Sequence, residues 1–299
     1  MTVTVHPITE NFAAEIGDID LGRPIEAADI TAIKAAFTRY AVLVFPDQTF
    51  SDESHLDFAR HFGPLETSVF KLRSDHKMRL DERMADVGNL DADNRILPLN
   101  DRIRLYQLGN RLWHTDSSFK RVPAYCSILH GRSIPPVGGH TEFADLRAAY
   151  DALPDATKRR IAGLVAEHSL MTSRAKLGFT DFDEAERKAF EPVPQVLVRR
   201  LQDSGRMSLY LASHAGTIRG MAKAEAERLL QELIEHATQR QFVYTHRWRV
   251  NDLVMWDDRC TMHRGIEFDD QRYKRDMRRA TVSDVAPTCE QMGLPVAAE

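Results

Sequence analysis

At 299 residues, 43% hydrophobic and 28% charged, the chain is long enough to bury a sizeable core and has the composition of a globular protein. A formal net charge of -4 gives no overall pull toward nucleic acid or an anionic membrane, and no run of about 18 apolar residues is present to span a bilayer. Three widely spaced cysteines, Cys126, Cys260 and Cys289, exclude a disulfide framework and a thiolate metal site; with no basic-then-apolar leader, the expected compartment is the cytoplasm.

In chain order, Ile30, Ile33 and Phe37 fall at helical spacing, and AVLVF (41–45) reads as a buried strand ended by Pro46. Ser51 is placed to cap a helix that carries Leu56, Ala59 and Phe62. Residues 66–105 are polar with little periodicity and predict a long loop that acts as a lid or binding element. CSILH (126–130), the turn at 135–139 and HTEF (140–143) predict strand, turn and strand. Helices are expected at about 145–152, 155–165 and 223–237, the last through Ala226, Leu229, Leu230 and Leu233. SLYLAS (208–213), QFVYTH (241–246), DLVMW (252–256) and DMRRATV (276–282) predict further strands. The fold class expected is mostly β with flanking helices, as one domain over 1–285 followed by a tail at 286–299.

Within LWHTDSSF (112–119), His114 and Asp116 are two apart, so an extended backbone would turn both side chains to one face. A third donor, His263, lies far downstream in VMWDDRCTMHRG (254–265). Two imidazoles and one carboxylate on one side of iron(II) leave positions open for a co-substrate and dioxygen, whereas a zinc hydrolase needs room only for water. Arg275 and Arg279, four apart in an expected strand, face the same way and offer two anion sites. Trp113 and Trp256 read as core, and His130, His140 and His246 as structural.

WHTDSSF, PPVGGHTEFADLRAAYDALP (135–154), LVMWDDRCTMHRG (253–265) and RDMRRAT (275–281) resemble the 2-oxoglutarate-dependent dioxygenase family that includes taurine and 2,4-dichlorophenoxyacetate dioxygenases. The likeness is closer to the second branch, and a looser match runs from about residue 10 to 285. The resemblance implies a double-stranded β-helix (jelly-roll) core with His114, Asp116 and His263 as Fe(II) ligands. It implies Arg275 and Thr141 on the distal carboxylate of 2-oxoglutarate, and Arg279, His214 and Lys71 on the carboxylate of the prime substrate. Spacing from His263 is about one residue off the family's, which brings in Lys274, but only Arg275 has an arginine four residues on. The implied reaction uses O2, with ascorbate as activator in vitro, in a homo-oligomer acting on a small carboxylate, an aryloxyalkanoate first. A sulfonate or alkyl sulfate dioxygenase is the nearest alternative, and a 2-oxoglutarate-binding sensor or a zinc hydrolase are the alternatives of other classes.

Overall fold

A computed structural model of the chain describes residues 3–72 and 77–294. Its largest sheet has seven strands in the order Thr4–Pro7, Ala13–Gly17, Val42–Phe45, Leu253–Asp257, Ala124–Ser133, Asp276–Ser283 and Met84–Asp86. All neighbours are antiparallel except Ala13–Gly17 with Val42–Phe45. A smaller sheet, Val243–His246, Thr141–Asp145 and Thr261–Gly265, is antiparallel throughout.

The apolar run at 41–45 is continuous because both faces of its strand are covered. Val44 packs with Val254, Trp256, Leu129 and Met277 against Phe143 of the smaller sheet, which forms the interior of a β sandwich. Leu43 and Phe45 point the other way, toward Ile30, Ile33 and Phe37 of the Ala27–Tyr40 helix and Leu56 and Phe58 of the Asp52–Arg60 helix. Ser51 accepts the Ser54 N–H at 3.1 Å and starts the second of these helices as its sequence predicts. The expected mostly β class with flanking helices is the observed one.

Several boundaries differ for identifiable reasons. The helix expected at 155–165 ends at Ile161, because Gly163 adopts a positive φ of 73° and Val165–His168 begins a strand. The strand expected at 208–213 is only Met207–Leu209. Beyond it Tyr210 N–H donates to Leu197 and Ser213 N–H to Trp113, so the chain crosses from one set of partners to another. The strand expected at 241–246 starts at Val243, after a single 3-10 turn.

Residues 66–105 are not a featureless loop. Met84–Asp86 forms the edge of the large sheet against Arg278–Ala280, and Arg102–Gln107 is a helix capped by Asp101. Pieces of three and six residues are too short to show a period, and residues 73–76 of this segment lie outside the described residues. The expected tail after 285 also packs, up to residue 294. The Thr288 hydroxyl donates to Gln195 Oε1 at 2.6 Å and accepts the Val196 N–H at 3.1 Å, and Cys289 is fully buried.

Three buried histidines make the fold sensitive to acid. Burial, helped by neighbouring His130, lowers His55 to about 3; burial lowers His168 to about 3 and His130 to about 4. In the unfolded chain they protonate near 6.5, so stability is fully present above that pH and is lost as pH falls from 6.5 toward 4. Each contributes about 1.4 kcal/mol per pH unit in that window, about 4 kcal/mol per unit together. The urea midpoint is therefore expected to fall steeply between about pH 7 and pH 5. A flat profile would mean that these imidazoles charge without unfolding the protein.

Candidate active site

His114 and Asp116 do meet, but not through a strand. His114 makes a single antiparallel bridge to His263, with N–H to O distances of 3.0 and 2.8 Å in the two directions. Asp116 then opens a turn in which Ser117 has a φ of 52°. The bridge fixes the two histidines side by side, their ring centroids 4.2 Å apart. The turn brings the carboxylate across both: Asp116 Oδ1 lies 3.7 Å from His114 Nε2, and Oδ2 lies 3.7 Å from His263 Nε2. One ligand atom from each residue lies within 4.8 Å of the others, so the buried trio could hold a metal ion.

The charge states suit a cation. The His114 Nδ1–H donates to Leu112 O at 2.8 Å, which leaves Nε2 as the lone-pair nitrogen. Burial lowers His114, and burial with neighbouring His114 holds His263 well below its ordinary value, so both rings are neutral at pH 7. Burial alone would raise Asp116, but the charges of Arg279, His263 and His114 prevail and hold it down to about 2. Two neutral imidazoles and one ionised carboxylate need release no proton to take a divalent ion. This donor set matches the two-histidine, one-carboxylate face of non-haem iron sites.

Asp116 is held by residues that sequence reasoning missed. Ser127 Oγ donates to its Oδ2 at 2.8 Å, and its own N–H donates to Asp258 Oδ1 at 3.1 Å. Asp258 also accepts the Trp256 indole N–H at 3.1 Å, and burial beside Asp116 holds its carboxyl well above the usual range. An amide at this position keeps an oxygen that can accept both N–H groups. Asp258→Asn is therefore expected to keep metal affinity, while Asp258→Ala, which strands two buried N–H donors, lowers it roughly 10- to 100-fold. Anaerobic titration with Mn(II) checks this; equal losses in both variants would show that the charge, not the acceptor, matters.

The trio stands in the wall between two chambers, which share His114, Arg279, Val87, Gln107 and Asn110. The first, of about 800 Å³, is lined by His263, Thr141, Arg275 and the apolar Leu129, Trp256, Ile266 and Phe268. Arg275 is buried there, reached by the 66–105 segment: its Nη1 donates to Val87 O at 2.7 Å and its backbone N–H to Asn89 Oδ1 at 2.7 Å. Gly88 is required for this contact, since a Cβ there would come within 2.4 Å of Arg275 O. Arg275 Nε has no partner, and burial lowers the guanidinium to about 10. An anion in this chamber would fill that gap. Thr141 lies beside it, with its oxygen occupied by the Trp248 indole N–H at 3.0 Å, which leaves its hydroxyl proton available to a ligand. Trp256, read as core, is fully buried and also forms part of this wall.

The second chamber, of about 740 Å³, is lined by Arg279, His214, Phe119, Leu170, Tyr106 and Arg174, among others. Arg279 Nη1 donates to Asp116 Oδ1 at 2.6 Å, and its Nε is unpaired. His214 is buried with its ring 6.0 Å from that of His114. Lys71 is not brought here. Its ammonium pairs with Glu82 at 2.5 Å and its side chain is 55% exposed, because the 3-10 turn Val69–Leu72 directs it to the surface.

Of the expected site residues, the structure thus gathers His114, Asp116, His263, Thr141, Arg275, Arg279 and His214, and leaves Lys71 outside. Asp258 was signalled only by an acidic pair directly after a buried apolar strand, and Arg174 by an arginine among apolar residues in HSLMTSRAKLGF (168–179).

Residues 4–281 match the family model described as taurine catabolism dioxygenase TauD, TfdA family. The chain is 43% identical over 286 residues to the alpha-ketoglutarate-dependent 2,4-dichlorophenoxyacetate dioxygenase of Cupriavidus pinatubonensis, covering 96% of this chain and 99% of that one. It is 37% identical over 273 residues to the (S)-phenoxypropionate/alpha-ketoglutarate-dioxygenase of Sphingobium herbicidovorans, covering 89% and 90%. Among solved structures, AAD-2 in complex with Mn(II) and N-oxalylglycine superposes with a TM-score of 0.88 at 46% identity, covering 96% of this chain and 99% of that one. The chain belongs to the TauD/TfdA family of dioxygenases.

Proposed function

We propose that the protein is an Fe(II)- and 2-oxoglutarate-dependent dioxygenase that hydroxylates an aryloxyalkanoate at the carbon bearing the ether oxygen. The product is then a hemiacetal that collapses to a phenol and an oxoacid, with succinate and CO2 released from the co-substrate. The observation that carries this reading is the buried His114, Asp116 and His263 trio standing between two chambers, each lined by an arginine whose Nε has no partner. Two anionic organic acids can then approach one metal from different sides. The names of the relatives support the same pair of ligands, a 2-oxoacid and an aryloxy acid.

In this reading Fe(II), with 2-oxoglutarate and O2, supplies the oxidising equivalents when bound. His114, Asp116 and His263 hold the metal by one face. Arg275, through its free Nε–H, and Thr141, through its free hydroxyl proton, hold the distal carboxylate of the oxoacid. Leu129, Trp256, Ile266 and Phe268 form the apolar part of that chamber's wall. Arg279 takes the carboxylate of the aryloxyalkanoate, with His214 flanking it, so that the carbon to be hydroxylated faces the trio. Arg279 links the two events, since it also touches Asp116.

Three buried thiols without disulfide partners suit a reducing cytoplasm. The homo-oligomer implied by the family resemblance is checked by the mass in solution. The reaction is tested by incubating the protein aerobically with Fe(II), ascorbate, 2-oxoglutarate and, in turn, phenoxyacetates, phenoxypropionates, taurine and alkyl sulfates. Equal amounts of succinate and phenol from the aryloxy acids are expected. Succinate formed only with taurine or alkyl sulfates would move the enzyme to the sulfonate branch, and turnover restored by zinc without oxygen would remove the oxygenase reading.

A further inference from the structure

Arg174 is a buried cation that makes no direct ion pair among the described residues, though the Asp116 charge acts on it from a distance. It is 5% exposed, on the short Leu170–Ala175 helix, and lines the same chamber as Arg279 and His214. Among the described residues no carboxylate lies within ion-pair distance of it. Among the described residues its Nη1 donates to Ser173 Oγ at 3.1 Å, and its Nε has no partner. The guanidinium lies over the Tyr106 ring, 4.5 Å from the centroid, and flat against Gly109. Burial pulls its pKa down from the ordinary arginine value, against the charges of Tyr106 and Asp116, and a guanidinium is a cation at neutral pH. A charge taken out of water without a counter-ion is costly to keep. A site built in this way is completed when a ligand brings the anion.

The neighbouring histidine does not fill that role. Ser173 Oγ gives its proton to Leu170 O at 2.8 Å, so it accepts both from Arg174 and from His214 Nδ1, the latter at 2.9 Å. His214 therefore carries its proton on Nδ1, and its Nε2 has a lone pair. With the proton on Nδ1, Nε2 has no N–H to offer a carboxylate. Arg279, for its part, already shares one guanidinium nitrogen with Asp116. Arg174 is the cation of this chamber whose donors are not spoken for by an acid.

We propose that Arg174 is an anion anchor of the substrate chamber, receiving the carboxylate of the organic acid together with Arg279. This rests on the reading of the chamber as the substrate side. Gly109 is part of the same device: a Cβ there would lie 2.1 Å from Arg174 Nη1 and 2.2 Å from Cζ, so only glycine lets the guanidinium settle in this place.

The test compares phenoxyacetate with its uncharged amide, phenoxyacetamide, as substrates for the wild type, Arg174→Gln and Gly109→Ala. Loss of a charge-assisted contact is expected to raise KM for phenoxyacetate roughly 10- to 100-fold in Arg174→Gln. KM for the amide and for 2-oxoglutarate should stay where they are. Gly109→Ala keeps the charge and every hydrogen-bonding group but displaces the guanidinium, whose flexible end can move, and should shift the same ratio in the same direction. That variant decides the matter if Arg174→Gln does not fold. Unchanged KM values, or equal rises for acid and amide, would overturn the proposal and leave Arg174 as a wall residue stacked on Tyr106. Failure of the wild type itself to release phenol from phenoxyacetate would instead overturn the substrate reading, and is seen before any variant is made.

Discussion

Asp116→Asn should lose Fe(II)- or Mn(II)-binding by roughly two to three orders of magnitude and reduce turnover to background, while the chain stays folded. The carboxylate is the single anion of the trio, set 3.7 Å from each lone-pair nitrogen, and it is kept ionised in a buried place by Arg279 and the two histidines. An amide keeps the shape and can still accept from Ser127, but it no longer balances the cation or Arg279. Anaerobic titration with Mn(II) reads the binding directly, and circular dichroism reads the fold. Full metal affinity in Asp116→Asn would remove this residue from the ligand set. His114→Ala and His263→Ala should follow the same pattern, each losing one nitrogen donor.

Arg275→Ala and Arg279→Ala should separate the two organic acids. Arg275→Ala is expected to raise KM for 2-oxoglutarate roughly 100-fold, the loss of charge-assisted hydrogen bonds from a buried guanidinium, with little change for the aryloxyalkanoate. Arg279→Ala is expected to raise KM for the aryloxyalkanoate by a similar factor. The structure adds a second consequence that the sequence did not suggest: Arg279 Nη1 is bonded to Asp116, so its loss should also weaken metal binding, which Arg275→Ala should not do. Equal effects of the two variants on both acids would mean that the assignment of the chambers is wrong. An effect of Arg275→Ala on metal affinity would mean that its chamber is not independent of the trio.

The features that depend on local pattern are legible along the chain. The periodicity and capping signals placed the Ala27–Tyr40, Asp52–Arg60 and Lys223–Ala237 helices and the strands that carry Thr141 and Arg279, because each signal repeats within a few residues; His263, expected beside a turn just after a strand, instead lies within the strand Thr261–Gly265. The four-residue spacing of Arg275 and Arg279 suggested one shared strand face, but Arg275 lies just before the strand Asp276–Ser283, whose register shifts at Asp276/Met277. The motif resemblance supplied the trio, though its geometry came from elsewhere: an isolated bridge between His114 and His263 and a turn at Ser117 do the work expected of a strand.

Only the tertiary structure decided which distant groups complete the site. Ser127, Asp258 and Arg279 reach Asp116 across separations of 11 to 163 residues, and no local period records such a contact. The same holds for the exclusion of Lys71, which depends on one turn in a segment without periodicity, and for Arg174, whose lack of a carboxylate partner is a property of everything packed around it. Residue type can be read along the chain. Whether a charge is balanced by its surroundings or is left for a ligand depends on sheet register and burial, which exist only once the sheets have closed on one another.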